Sequence, residues 1–299
     1  MLGKLGSWIK QKRETLRLAR EAKQLLGFGE PDLYSYRVAM HHPLYKRGEP
    51  HPDDLAAFVT MAGYDIARAH DAGVLAMLDR VEVSLDDGLV LIGSPEAEAV
   101  TRLAFGYTRK AGAGGMRFVS TPVKLPYRWE EDRTLVSAQY ERFVPGAGRA
   151  RRPNWPIIDE TSGSARPIFP VVSNSGLLHT DLLLITKVPN FLTPVAYESG
   201  RSLVSVAGAH GPGTRSVELL LNDRRLLGQI REGIPEGAQA FQVLLDATDI
   251  RHDPRSGSIA KTLRVRDIKV FERPEATWRS AMRESVARRS SWLAELGRE

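Results

Sequence analysis

The apolar positions of the chain follow two periods. Between residues 4 and 26, Leu5, Trp8, Ile9, Leu16, Ala19, Ala22, Leu25 and Leu26 recur at helical spacing, and Gly27, Gly29 and Pro31 close the segment. Lys4, Lys10, Lys12, Arg13, Arg17, Arg20 and Lys23 fill the remaining faces against only Glu14 and Glu21. A basic amphipathic helix follows from this pattern. Its apolar side suits the chain's own domain, a protein partner or an anionic membrane surface. A second helix is expected from Asp53 or Asp54 to about Asp79, on Leu55, Phe58, Val59, Ala62, Ile66, Ala69 and Leu75. A C-terminal amphipathic helix is expected from Thr277 to Leu296, with Trp278, Met282, Val286, Trp292, Leu293 and Leu296 on its apolar side.

From Val81 the period becomes that of strands. Val81, Val83 and Leu85 alternate with polar residues, and Asp86-Asp87-Gly88 signals a turn. Leu89-Val90-Leu91-Ile92 is then a continuous apolar run, the mark of a strand covered on both faces. Gly93-Ser94-Pro95-Glu96 follows, and Ala97 to Phe105 predicts a helix. Thr134 to Val144 alternates as a strand, Pro145 to Pro156 reads as an exposed loop and Glu160 to Ser164 as a turn. Further strands are expected at Leu182–Ile185, Ser202–Val206 and Ala240–Leu245. Leu263, Val265, Ile268, Val270 and Phe271 mark one more at the sheet edge. The Ser202–Val206 strand runs into Ala207-Gly208-Ala209-His210-Gly211-Pro212-Gly213-Thr214, and a helix begins at Arg215.

Strands alternating with helices predict an α/β fold. The expected architecture is a mostly parallel, Rossmann-like sheet flanked by helices, with amphipathic helices at both ends. The expected division is a basic helix over 1–30, a helical lead-in over 31–80, the α/β domain over 81–275 and a C-terminal helix over 276–299.

Composition removes several chemistries. With 299 residues and 42% hydrophobic residues the chain can bury a core without staples. It has no cysteine, which excludes disulfides, thiolate metal sites and a cysteine nucleophile, and points to a reducing, cytoplasmic setting. No apolar stretch is long enough to span a bilayer. The formal charge of +6 is concentrated toward the two ends, which argues against a nucleic-acid-binding face.

Two turns carry candidate chemistry. In the first, Gly208, Gly211 and Gly213 let the backbone approach a ligand closely, and the helix that follows offers unsatisfied N–H groups to an anion. Thr214 can cap that helix or bond the anion, Arg215 can neutralise phosphate, and His210 can act as acid or base. The glycine spacing resembles a P-loop, but Thr214 and Arg215 stand where lysine and hydroxyl are required, so no triphosphate cradle is expected. In the second turn, Gly93 and Ser94 can hold part of a ligand, with Ser94 as helix cap and Pro95 at the first helical position. Glu96 is there a candidate base. If the two preceding strands are neighbours, both turns open on one edge and can share a ligand. Lys187 and Asn190 end the Leu182–Ile185 strand and can face the same pocket, while Asp181 precedes it. Asp246, Asp249, His252 and Asp253 can add a carboxylate. His41, His42, His51, Asp53 and Asp54 have metal-ligand chemistry, but prolines separate them and no helical histidine pair is present, so no metal site is expected.

The Leu89–Ile92 strand with its Gly93-Ser94-Pro95 turn, and the Leu203–Val206 strand with its Ala-Gly-Ala-His-Gly-Pro-Gly-Thr turn, resemble an uncharacterised bacterial Rossmann-like module over roughly residues 85–222. That module carries a Gly-Gly-Pro-type turn and an Ala-Gly-x-His-Gly-x-Gly-Thr turn. Ser94 departs from it, and Pro189-Asn190-Phe191 is only similar to its middle Asn-Pro-type piece. The resemblance implies a sensor or effector part in bacterial signalling. Three functional classes therefore stand side by side. The chain binds a nucleotide or other phosphorylated small molecule at Gly93, Ser94, Gly208, Gly211, Gly213, Thr214 and Arg215. Alternatively it hydrolyses such a ligand, with Glu96 or His210 in acid–base roles. Alternatively it is a non-catalytic protein that docks on a partner or membrane surface.

Overall fold

The computed structural model describes residues 14, 16–18, 20–28, 33–36, 38–39, 49–50, 52–62, 85–96, 98–109, 116–119, 121, 123–137, 151–161, 163, 165–174, 177–253 and 257–296. Its centre is one mixed sheet. In chain order the strands used below are β1 (Leu33–Tyr36), β2 (Leu89–Ile92), β3 (Tyr127–Trp129), β4 (Ile157–Asp159), β5 (Arg166–Ile168), β6 (Val171–Val172), β7 (Leu178–Pro189), β8 (Ser202–Gly208), β9 (Phe241–Thr248) and β10 (Thr262–Val270). The helices are α1 (Pro52–Ala62), α2 (Ala99–Phe105), α3 (Pro194–Glu198), α4 (Gly211–Arg215), α5 (Val217–Asn222), α6 (Arg224–Gly233) and α7 (Glu275–Leu296). The main sheet runs β1-β2-β8-β7-β9-β10, with β6 also pairing β7.

The expected mostly parallel sheet is not what forms. Among the described residues parallel pairing is confined to β1 with β2 and β2 with β8, while β7 runs antiparallel to both β8 and β9, and β10 is antiparallel to β9. The physical reason lies in the connections and in the apolar runs. Pro189 pairs with Ser202, so the short connection 190–201, with α3 inside it, returns the chain like a hairpin. A strand covered on both faces is apolar throughout whichever way it runs, so its pattern carries no direction. Beside the main sheet stand several small antiparallel ladders, among them β5-β4-β3.

Two cores lie on the two faces. Val90, Ile92, Leu183 and Ile185 point into one with Leu18, Ala22, Leu26, α1, α5 and α6. Leu89, Leu91, Leu182 and Leu184 point into the other with α2, β3, β4 and the Trp278 end of α7. Their alternation explains why each run is apolar at every position. Residues 20–26 are helical, and the buried Leu18, Ala22 and Leu26 place this stretch against its own domain.

Other boundaries moved. β7 is longer than Leu182–Ile185, and α2 begins at Ala99 with Glu98 as its cap instead of Ser94. Arg151–Asn154, expected as loop, is a strand paired with Asp132–Ser137. The helix expected at Arg215 begins at Gly211 and breaks at Ser216. β10 is an edge strand, as its looser pattern implied. The Val81–Val83 alternation, the helix beyond Ala62, His41, His42 and His51 lie outside the described residues.

Candidate functional site

The parallel pairing of β2 and β8 sets Ile92 opposite Val206, and the Gly93 N–H donates to the Val206 carbonyl at 2.9 Å. Both glycine turns therefore leave the sheet on one edge. The Gly208 turn is built by close approach. Its N–H donates to Thr214 Oγ1 at 2.9 Å, and the Ala209 N–H to the Leu182 carbonyl at 3.0 Å. An added Cβ would overlap the Thr214 amide at Gly208, the Asp53 carboxylate at Gly211 and the Leu182 carbonyl at Gly213. None of these three glycines needs a left-handed backbone. Their requirement is room.

That room holds one of the protein's own carboxyl groups, Asp181. Asp181 is fully buried, and its carboxylate accepts N–H groups from Leu182 at 2.8 Å, Gly213 at 2.6 Å and His210 at 3.2 Å. The donors that the sequence assigned to a phosphate thus meet Asp181. Burial pushes its carboxyl up to about 8, with the three N–H donors pulling down and Asp53 pushing further up. Arg215 is drawn the same way, lying 3.9 Å from Asp53 and 3.7 Å from Glu218. His210 is buried, and its Nε2 lies 3.2 Å from Asn154 Oδ1, which already accepts from the Trp155 N–H. An oxygen can only accept, so His210 Nε2 carries the proton.

The second turn is also internally braced. Gly93 has φ of 121°, the region that favours glycine. The Glu98 N–H donates to the Ser94 carbonyl at 2.8 Å, and the Glu98 side chain caps α2 through the Thr101 N–H. The buried Arg102 lies beneath, its Nη1 3.4 Å from the carbonyls of Pro95 and Glu96. Ser94 is buried and Glu96 half-buried. Sequence reasoning missed Asn154, because an Arg- and Pro-rich stretch reads as loop. It also passed over Glu98, whose role as cap depends on where the helix begins, whereas Thr101 and Arg102, read as structural residues of that helix, are buried in it.

Because β7 is antiparallel to β8, Lys187 and Asn190 lie on the opposite sheet edge from Gly208, not in one pocket with it. Asn190 is structural: its Nδ2 donates to the carbonyls of Leu85 and Asp87, and its Oδ1 accepts the Leu192 N–H. Asp246 is paired with Arg264 and Arg266, and His252 bonds Ser258 and the Leu178 carbonyl. Asp249 supplies the left-handed turn residue, with φ of 52°.

Lys187 stands apart. It is half-buried in the wall of a cleft of about 1200 Å³, where β7 ends and β8 and β9 begin. Its Nζ sits 5.7 Å from the centroid of the Phe241 ring, and it has no carboxylate partner among the described residues. Burial lowers its ammonium below the ordinary lysine value. Arg201, Arg231 and Arg279 line the same cleft. Arg231 pairs with Glu21 at 3.2 Å and Arg279 with Glu275 at 2.6 Å.

Among the described residues no three metal-ligating side chains come together, and no helix is long and apolar enough to cross a membrane. Compared with models of known families, with curated proteins and with solved structures, the chain matches none.

Proposed function

We propose that the chain is a binding module for a small phosphorylated ligand, a nucleotide or a relative of one, held in the Lys187 cleft and not in the glycine turn. The observation that carries this reading is the half-buried Lys187 ammonium, which has no carboxylate partner among the described residues. A partly desolvated charge is costly until an opposite charge meets it, and a ligand phosphate supplies that charge. Arg201, Arg231 and Arg279 on the same walls can add contacts to phosphate oxygens, Arg231 and Arg279 beside the Glu21 and Glu275 carboxylates they already pair with. The cleft volume also accommodates a ligand of nucleotide size. The glycine turn then serves as a clamp that Asp181 closes from inside. The absence of cysteine supports a cytoplasmic setting for this role.

The test is a thermal-shift screen of the full chain against nucleotides, cyclic nucleotides, dinucleotides and phosphorylated sugars. A ligand at a hundred times its dissociation constant stabilises by about 2.7 kcal/mol. The stabilisation is expected to disappear in Lys187→Gln and to survive in His210→Gln. The reverse pattern would return the ligand to the glycine turn, and consumption of the ligand over time would make the chain an enzyme.

A further inference from the structure

We propose that Lys187 forms an imine with an anionic aldehyde or ketone held in the cleft. This rests on the reading that the cleft takes an anion, and adds what the amine does to it. Three features of geometry support it. The lysine stem runs beside Gly27, where an added Cβ would come within 3.2 Å of its Cε, so the glycine leaves the space in which the stem lies. Lys187 lines the cleft beside Phe241, and its amino group has no carboxylate partner among the described residues. The Phe241 ring beneath Nζ stabilises a cation, and the iminium carries the same charge as the ammonium it replaces.

The step balances without an outside reagent. The ammonium loses a proton, its nitrogen lone pair attacks the carbonyl carbon, and the carbonyl π pair moves to oxygen, which is protonated to a carbinolamine. Expulsion of that oxygen as water leaves the protonated C=N bond. Overall, ammonium plus carbonyl gives iminium plus water, with no change of redox state. Burial favours the start of this sequence, since it enlarges the neutral, nucleophilic fraction of the amine. Arg201 and the other cleft arginines can hold the anionic tail of the compound while the carbonyl reaches Nζ.

The experiment uses the full chain with glycolaldehyde phosphate below one equivalent, trapped by cyanoborohydride and mapped by peptide mass spectrometry. The reduced adduct is expected on Lys187 in about tenfold excess or more over Lys124 and Lys261, both exposed, because a held geometry raises the effective concentration. Inorganic phosphate should protect Lys187 selectively. Lys187→Arg should lose the adduct yet keep phosphate stabilisation. If that variant does not fold, Lys187→Gln in the same labelling assay takes its place. An adduct spread evenly over exposed lysines overturns the imine. If phosphate still stabilises the wild type in that case, anion binding survives. If phosphate neither stabilises nor protects, both proposals fall.

Discussion

The Gly213 N–H donates to the Asp181 carboxylate at 2.6 Å, across a separation in sequence that joins the start of β7 to the first turn of α4. The same oxygen also receives the His210 N–H. In Asp181→Asn one acceptor becomes an NH₂ group, which accepts nothing, and at least one buried N–H is left unpaired. The expected loss is about 1–3 kcal/mol, read as a lower urea midpoint at unchanged slope. An unchanged midpoint would mean that these contacts contribute nothing to the clamp.

Asp181 also predicts a pH dependence. Its carboxyl is raised to about 8 in the folded chain, against an ordinary value of 3.8. The folded state therefore binds a proton that the unfolded state has released, and stability falls as pH rises between those values. The contribution is full below about pH 4 and lost as pH passes through about 8. Other carboxylates titrate in the same acidic range, so the measured quantity is wild-type stability minus that of Asp181→Asn. This difference should decline across the window. A flat difference would show that the three N–H donors hold Asp181 ionised throughout.

Glycines 208, 211 and 213 were legible in the sequence as a place of close approach, and the neighbouring placement of the Gly93 and Gly208 turns followed once β2 and β8 paired. The occupant of the turn was not legible. Asp181 comes from a strand that sequence reasoning ran parallel to β8, and only the antiparallel β7 brings its first residues to the Gly208 edge and its last to the other. Strand existence shows in apolar runs, whereas strand direction is decided by connections and tertiary packing. Lys187 illustrates the same limit. A lysine at a strand end usually reaches water, and nothing in its neighbours reveals that Phe241 lies under it.

Gly213 separates steric need from backbone strain. Its φ is not left-handed, yet an added Cβ would overlap the Leu182 carbonyl and approach Asp181 Oδ2 to 2.7 Å. Gly213→Ala should therefore cost about 1–3 kcal/mol by forcing the turn off β7. Gly228→Ala meets nothing within 4 Å and sits inside α6, so it should be neutral or stabilising by up to about 1 kcal/mol. Equal effects in chemical denaturation would refute the packing argument.

Gln242 holds the small ladder to the main sheet. Its Oε1 accepts the Tyr127 N–H at 2.7 Å, and its Nε2 donates to the Tyr127 carbonyl at 3.0 Å and to Thr186 Oγ1 at 2.9 Å. The side chain is fully buried, so Gln242→Leu leaves both backbone groups of Tyr127 without partners or water. A loss of about 2–4 kcal/mol is expected. Hydrogen exchange should localise the opening to β3 and its partners. Exchange that accelerates uniformly would instead make Gln242 part of the global core.

Gly27 connects fold to function. It closes the N-terminal helix at φ of 85°, and an added Cβ would meet Val204 Cγ2 at 3.0 Å and Lys187 Cε at 3.2 Å. In Gly27→Ala the left-handed backbone is strained by about 1 kcal/mol, and the flexible lysine stem gives way before the buried valine does. The amine then leaves its position over Phe241. Gly27→Ala should thus lower stability modestly, weaken phosphate-dependent stabilisation and flatten the labelling preference for Lys187. A variant that loses stability but keeps full selectivity would show that the position of Lys187 does not depend on Gly27.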